Sequence, residues 1–178
     1  MEPQQKKQAW LLATVGILLV VLIGALIWRS IRTKDAGENE ILYASIEETD
    51  PQIREAVGKA RAGIGEFIAM LKDPRPTVSY FALKARFEER GIIEHVWLNF
   101  ITYSGNEFEG NVANDPKALR TIMFGRTVRV PVERVSDWMV IDDGYLLGGY
   151  TLRVLRGRMS EPEKRAFDER GGFKVKER

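Results

Sequence analysis

FALKARFEERGIIEHVWLNFI, residues 81–101, is the stretch on which the fold turns. Phe81, Leu83, Ala85 and Phe87 alternate with Ala82, Lys84, Arg86 and Glu88, and Val96, Leu98 and Phe100 alternate with His95, Trp97, Asn99 and Ile101. A period of two marks strands with one buried face. Between the two runs lies Arg90-Gly91, suited to a two-residue hairpin turn in which glycine takes a positive φ. Pairing 89 with 92 sets Leu83 opposite Leu98 and Ala85 opposite Val96, and on the other face Lys84 opposite Trp97 and Arg86 opposite His95. A slip of one residue would mix core and surface positions on one face. This stretch therefore predicts an antiparallel hairpin with an apolar face and an aromatic–basic face.

Working outward towards the C-terminus, Gly105-Asn106 predicts a second turn into a strand at 107–112, and further strands follow at 127–132 and 138–142. Residues 113–124 read as a loop. Asp143-Gly144 is a type I′ signal joining 138–142 to a strand at 145–149. In that register Trp138 faces Gly149, whose missing side chain leaves room for the indole. Thr151 is placed to cap a short helix bearing Leu152, Leu155 and Met159. Ser160-Glu161-Pro162-Glu163 has the form of a capping box opening a last helix that ends before Gly171-Gly172.

Towards the N-terminus, Asp50-Pro51 opens a helix with Asp as cap and Pro at its first position. Ile53, Val57, Ala60, Ile64, Phe67, Ile68 and Leu71 form one apolar stripe, and Asp73-Pro74 stops it. Gly58, Gly63 and Gly65 weaken this helix or mark a close approach to the sheet. Before it, residues 29–50 read as an acidic linker holding Glu38, Glu40, Glu47, Glu48 and Asp50. Residues 9–28, AWLLATVGILLVVLIGALIW, carry no charge, and at about 1.5 Å per residue such a helix matches a bilayer's hydrocarbon core. The run is longer than the apolar core of a signal peptide and ends at Trp28-Arg29, an aromatic backed by a cation. An uncleaved single-pass anchor, with the lipid bilayer as its partner, is the expectation. Lys6 and Lys7 before the run nearly balance Arg29, Arg32 and Lys34 after it, so orientation stays open.

The chain divides accordingly into an anchor (1–28), a linker (29–50) and a water-soluble α+β domain (51–178). The domain is expected to pack an amphipathic helix on a bent antiparallel sheet of five or six strands, with C-terminal helices. The sheet is expected to be strongly bent, and a small SH3-like barrel is one form it could take. With 27 basic and 25 acidic residues, the charge argues against a nucleic-acid binder. The chain has no cysteine and a single histidine, which excludes thiol catalysis, disulfides and cysteine- or multi-histidine metal sites. No cofactor is expected.

Four segments in order, Glu94-His95-Val96-Trp97-Leu98, then Phe108-Glu109-Gly110 with Asn114-Asp115-Pro116, then Val135-Ser136-Asp137-Trp138-Met139, then Gly148-Gly149-Tyr150-Thr151 with Arg153, resemble the YegJ-like family of bacterial domains of unknown function. The resemblance covers about residues 55–160. It implies a bacterial protein, placed by the apolar run at the inner membrane, and carries no reaction, cofactor or catalytic residue with it.

The candidate surface is the polar face of the first hairpin, Lys84, Arg86, His95, Trp97 and Asn99, since aromatic and cationic groups on one sheet face suit recognition. The same residues also fit packing of Trp97 under a helix or loop and local cross-strand pairs. Two roles are open to Asp137, accepting hydrogen bonds from turn amides or joining Trp97 and Trp138 in a shallow ligand cleft. Asp142-Asp143-Gly144 lacks the spaced oxygen ligands of a metal loop and reads as a turn. The leading functional expectation is a non-catalytic interaction module with an unidentified protein or small-molecule partner. The alternatives are a hydrolase using His95 with Asp137 or Glu94, and a structural envelope protein.

Overall fold

A computed structural model describes residues 49–176. The anchor expected at 9–28, and nearly all of the linker expected at 29–50, lie outside the described residues. The domain is α+β, as expected. Asp50 accepts hydrogen bonds from the Gln52 and Ile53 amides and caps α1 (Pro51–Ala62). The stripe read as one helix is broken at Gly63, and α2 (Ile64–Lys72) follows. The break has a packing cause. A Cβ at Gly63 would sit 3.1 Å from Trp138 Cζ2, and Trp138 Nε1 donates to the Ala60 carbonyl at the end of α1, 2.9 Å away. Helix C-termini leave such carbonyls unsatisfied, and the indole fills that need. Gly58 and Gly65 meet no such neighbour.

Six antiparallel strands follow: β1 (Val78–Glu89), β2 (Ile92–Ser104), β3 (Glu107–Val112), β4 (Thr127–Pro131), β5 (Val135–Asp142) and β6 (Tyr145–Gly148). Their order across the sheet is β4-β3-β2-β1-β5-β6. The first hairpin has the expected register, Leu83 with Leu98, Lys84 with Trp97, Ala85 with Val96 and Arg86 with His95. Arg90-Gly91, Gly105-Asn106 and Asp143-Gly144 all take positive φ at both positions, the type I′ geometry that matches strand twist. The SH3-like barrel is not formed, because β4 and β6 stand at opposite ends and the sheet stays open. β5 starts at Val135, three residues earlier than the alternation suggested, after a 3₁₀ turn at Val132–Arg134.

One further departure lies inside β2. Phe100 was expected on the apolar face, but the β2–β3 register breaks between Asn99 and Thr102. Phe100 adopts φ 51° and is 78% exposed, while Ile101 turns inward. Gly110 on β3 makes room for it, since a Cβ there would lie 2.6 Å from Ile101 Cδ1.

The front face of the sheet packs on α1 and α2. Phe67 of α2 is its hub, with ring centroids 6.0 Å from Phe81, 5.8 Å from Phe108 and 5.5 Å from Trp138. Beside α1 lies α3 (Tyr150–Gly157), and α4 (Glu161–Gly171) begins at the expected capping box of Ser160 and Glu163. On the back face, Ile141 and Leu146 bury against Phe173, with Met139, Phe167 of α4 and Val175 around them. Among the described residues, this second, smaller core covers the β5–β6 half.

Candidate functional site

The back face at the centre of the sheet holds Lys84, Arg86, His95, Trp97 and Asn99, brought together by the hairpin register. Asp137 on β5 joins them as the cross-strand neighbour of Lys84. The run Asp137–Lys84–Trp97 thus crosses three strands. Lys84 is only 7% exposed, and its Nζ lies 5.7 Å from the Trp97 ring centroid, within cation–π range. Burial pulls its ammonium down to about 8, with the nearby Asp137 charge pulling the other way. Arg86 reaches Glu88 at 3.1 Å.

Trp138 is not part of this group. As Asp137's neighbour along the strand it points to the opposite face, into the front core, and is 1% exposed. The cleft expected from Trp97 and Trp138 together is therefore ruled out by the pleat. The glycine against the indole is Gly148 rather than Gly149. A Cβ at Gly148 would fall 2.5 Å from Trp138 Cε3, whereas Gly149 abuts Leu146. Gly148 also takes φ 66°, so both space and backbone call for glycine there.

Of the two roles open to Asp137, the structure shows the amide-binding one. Its carboxylate accepts from the Trp138 amide (2.8 Å), the Tyr150 amide (3.1 Å), the Thr151 amide (2.8 Å) and the Thr151 hydroxyl (2.6 Å). The buried carboxyl is thus fixed at the N-terminus of α3, where the helix dipole favours negative charge. Burial pushes its carboxyl above the usual range, opposed by the Thr151 and Trp138 bonds and by Lys84. Thr151, expected as a helix cap, serves instead as donor to Asp137, and Gly149 takes the cap position.

Glu94 plays the matching role at the other side of the sheet. Buried at the base of β2, it accepts from the Lys117 amide (2.8 Å) and the Ala118 amide (3.0 Å). Asn114 Oδ1 accepts from the Trp97 amide at 2.7 Å, and the Ala113 amide donates to the Trp97 carbonyl at 2.8 Å. Together they bind the 113–122 loop to β2. The sequence marks Asn114 only as part of the resemblance and Phe100 only as an apolar-face residue, and assigns neither a role at the site. Asn-Asp-Pro reads locally as a turn, and no local signal tells that the Asn side chain extends a strand's ladder.

Residues 50–175 match a family described as an uncharacterized protein conserved in bacteria, DUF2314. The chain belongs to this family. It is 31% identical over 145 residues to a protein of Neisseria meningitidis serogroup B named as a putative ankyrin repeat protein, a match covering 77% of the chain and 56% of that protein. It is 33% identical over 101 residues to the uncharacterized protein YegJ of Escherichia coli, covering 57% of the chain and 65% of YegJ. The chain spans less than two thirds of either relative. No solved structure matches it. The YegJ-like resemblance read from four segments is confirmed.

Within the DUF2314 domain those four segments meet in two pairs. Glu94–Leu98 and Asn114–Pro116 form the loop clamp, and Ser136–Trp138 and Gly148–Thr151 form the helix clamp. The residues that carry the resemblance therefore hold the fold. The Glu94 and Asp137 carboxylates are engaged with backbone amides, and Glu94, adjacent to His95 in a strand, faces away from it. Among the described residues no group of three or more His, Asp or Glu side chains could hold a metal ion.

Proposed function

We propose that this domain is a binding module without chemistry of its own, tethered beside a bacterial inner membrane by residues 9–28. The observation that carries the non-catalytic reading is the use made of Asp137 and Glu94. A general acid or base has to exchange a proton with substrate. Asp137 is buried and takes four donors, and Glu94 is buried under the loop it holds. A hydrolase built on His95 would have to break a clamp to recruit either one.

The surface proposed for recognition is the half-buried part of the back face, where Arg86, His95, Trp97 and Asn99 stand beside the helix-covered half. Twenty uncharged residues near the start support the tether. The Neisseria relative's name, an ankyrin repeat protein, fits a binding context, because such repeats present extended binding surfaces. Pull-down from detergent-solubilised membranes, comparing the full chain with an Arg86→Ala, Trp97→Ala variant, tests the face. Partners retained by the wild type are expected to drop out with the variant. Identical partner sets would remove this face from the proposal, and recovery of the chain in a high-speed supernatant without detergent would remove the tether.

A further inference from the structure

The two edges of the sheet are treated differently. At β6 the chain closes its own edge: Lys174 bridges to Tyr145, the Leu146 amide donates to the Lys174 carbonyl at 2.9 Å, and the Lys174 amide donates to the Gly144 carbonyl at 2.8 Å. At β4 no described strand lies beyond. The Val112 amide donates to the Arg126 carbonyl (2.9 Å) and the Val132 amide to the Asn106 carbonyl (3.3 Å), so the even-numbered residues of β4 bond inward to β3. Thr127, Arg129 and Pro131 therefore turn their backbone groups outward. Thr127 and Arg129 offer both N–H and C=O there, and Pro131 offers C=O alone.

The side chains around this open edge are specific in kind. Met123 (56% exposed) and Phe124 (69% exposed) precede it, held in place by the Gly125 amide bond to the Val112 carbonyl at 2.8 Å. From Arg120 to Val132 there are three arginines and no acid. Arg129 shares Glu109 at 2.8 Å, but Glu109 belongs to β3, one strand spacing further in. An added strand would meet β4's own side chains first.

We propose that β4 takes up an extended acidic segment of a partner protein as a seventh strand, with an apolar residue of that segment resting on Met123 and Phe124. Strand addition draws affinity from main-chain hydrogen bonds and selectivity from alternate side chains. A second copy of this chain is a poor occupant. Antiparallel self-pairing centred on Arg129 sets arginine against arginine and puts Pro131, with no N–H to give, opposite Thr127. This inference concerns a surface apart from the hairpin face and stands or falls separately from it.

The test is fluorescence anisotropy of a labelled Glu-Val-Glu-Val-Glu-Val-Glu peptide against the full chain in detergent, with the lysine counterpart of the peptide as control. The acidic peptide is expected to bind at least about tenfold more tightly than the basic one, since like charges facing across strands repel. Thr127→Pro removes one outward N–H while leaving the β3 ladder intact, and is expected to weaken binding at least about fivefold. Hydrogen exchange on the unmodified protein gives a readout independent of any variant: the Thr127 and Arg129 amides should slow when the acidic peptide is added. Absence of binding, equal binding of both peptides, indifference to Thr127→Pro in a folded variant, or unslowed amides would each overturn the proposal.

Discussion

The two faces of one sheet obey different rules in this domain. In front, Phe67, Trp138 and Phe108 lock helices to strands through apolar contact, and a polar atom buried among them, Trp138 Nε1, finds the Ala60 carbonyl. Behind, the centre of the sheet is built from charge and hydrogen bonds: Lys84 between Trp97 and Asp137, with Asp137 fixed at the head of α3. The front is held by the amount of surface removed from water. The back is held by whether each polar group keeps its partner, since an unpaired buried group is what becomes expensive. Substitutions on the two faces should therefore fail in different ways.

The sharpest break is Trp138→Ala, which empties the front core and should destabilise the domain by about 3–5 kcal/mol, read by denaturant unfolding. Its back-face counterpart, Trp97→Ala, is expected to lose only about 1 kcal/mol, mainly the contact with Lys84. Equal losses would erase the contrast. Next comes pH. Lys84 has a folded-state value of about 8 against 10.5 in the unfolded chain, so between these values the unfolded chain holds more protons. Stability contributed at this site therefore rises with pH across that window, on the order of 3 kcal/mol. Subtracting the Lys84→Met profile from the wild-type profile isolates the effect, and a flat difference would mean that the amine is well solvated. Glu94→Ala follows, expected to cost about 1–3 kcal/mol by leaving the Lys117 and Ala118 amides unpaired. Faster hydrogen exchange at those two amides, with α3 unaffected, would show that the two clamps act independently.

Turn chemistry made the local half of this architecture readable. Arg90-Gly91 with the alternation on either side gave the hairpin register residue by residue, and Asp143-Gly144 and the Ser160 box did the same for their elements. What stayed hidden was set by contacts between distant residues. β1 pairs with β5 across more than fifty residues of chain, so nothing local distinguishes an open sheet from a closed barrel. Asp137 reads as a turn acceptor, yet three of its four donors lie thirteen and fourteen residues on. Phe100 follows the apolar alternation perfectly, and only the bulge opposite Gly110 throws it outward. The candidate site was legible as a list of neighbours on one hairpin face. Its division into a buried Lys84–Asp137 pair and a half-buried remainder was not, because that depends on what covers each residue.

The closing of β6 by the segment around Phe173 and Lys174 has a practical consequence for anyone handling this protein. Removing the residues from Phe173 onward, or forcing a bulky fusion against them, would strip the cover from Ile141 and Leu146 and free the Leu146 amide and the Gly144 carbonyl at a second sheet edge. A preparation shortened in that way should precipitate or form fibrils, even though no helix and no strand had been cut.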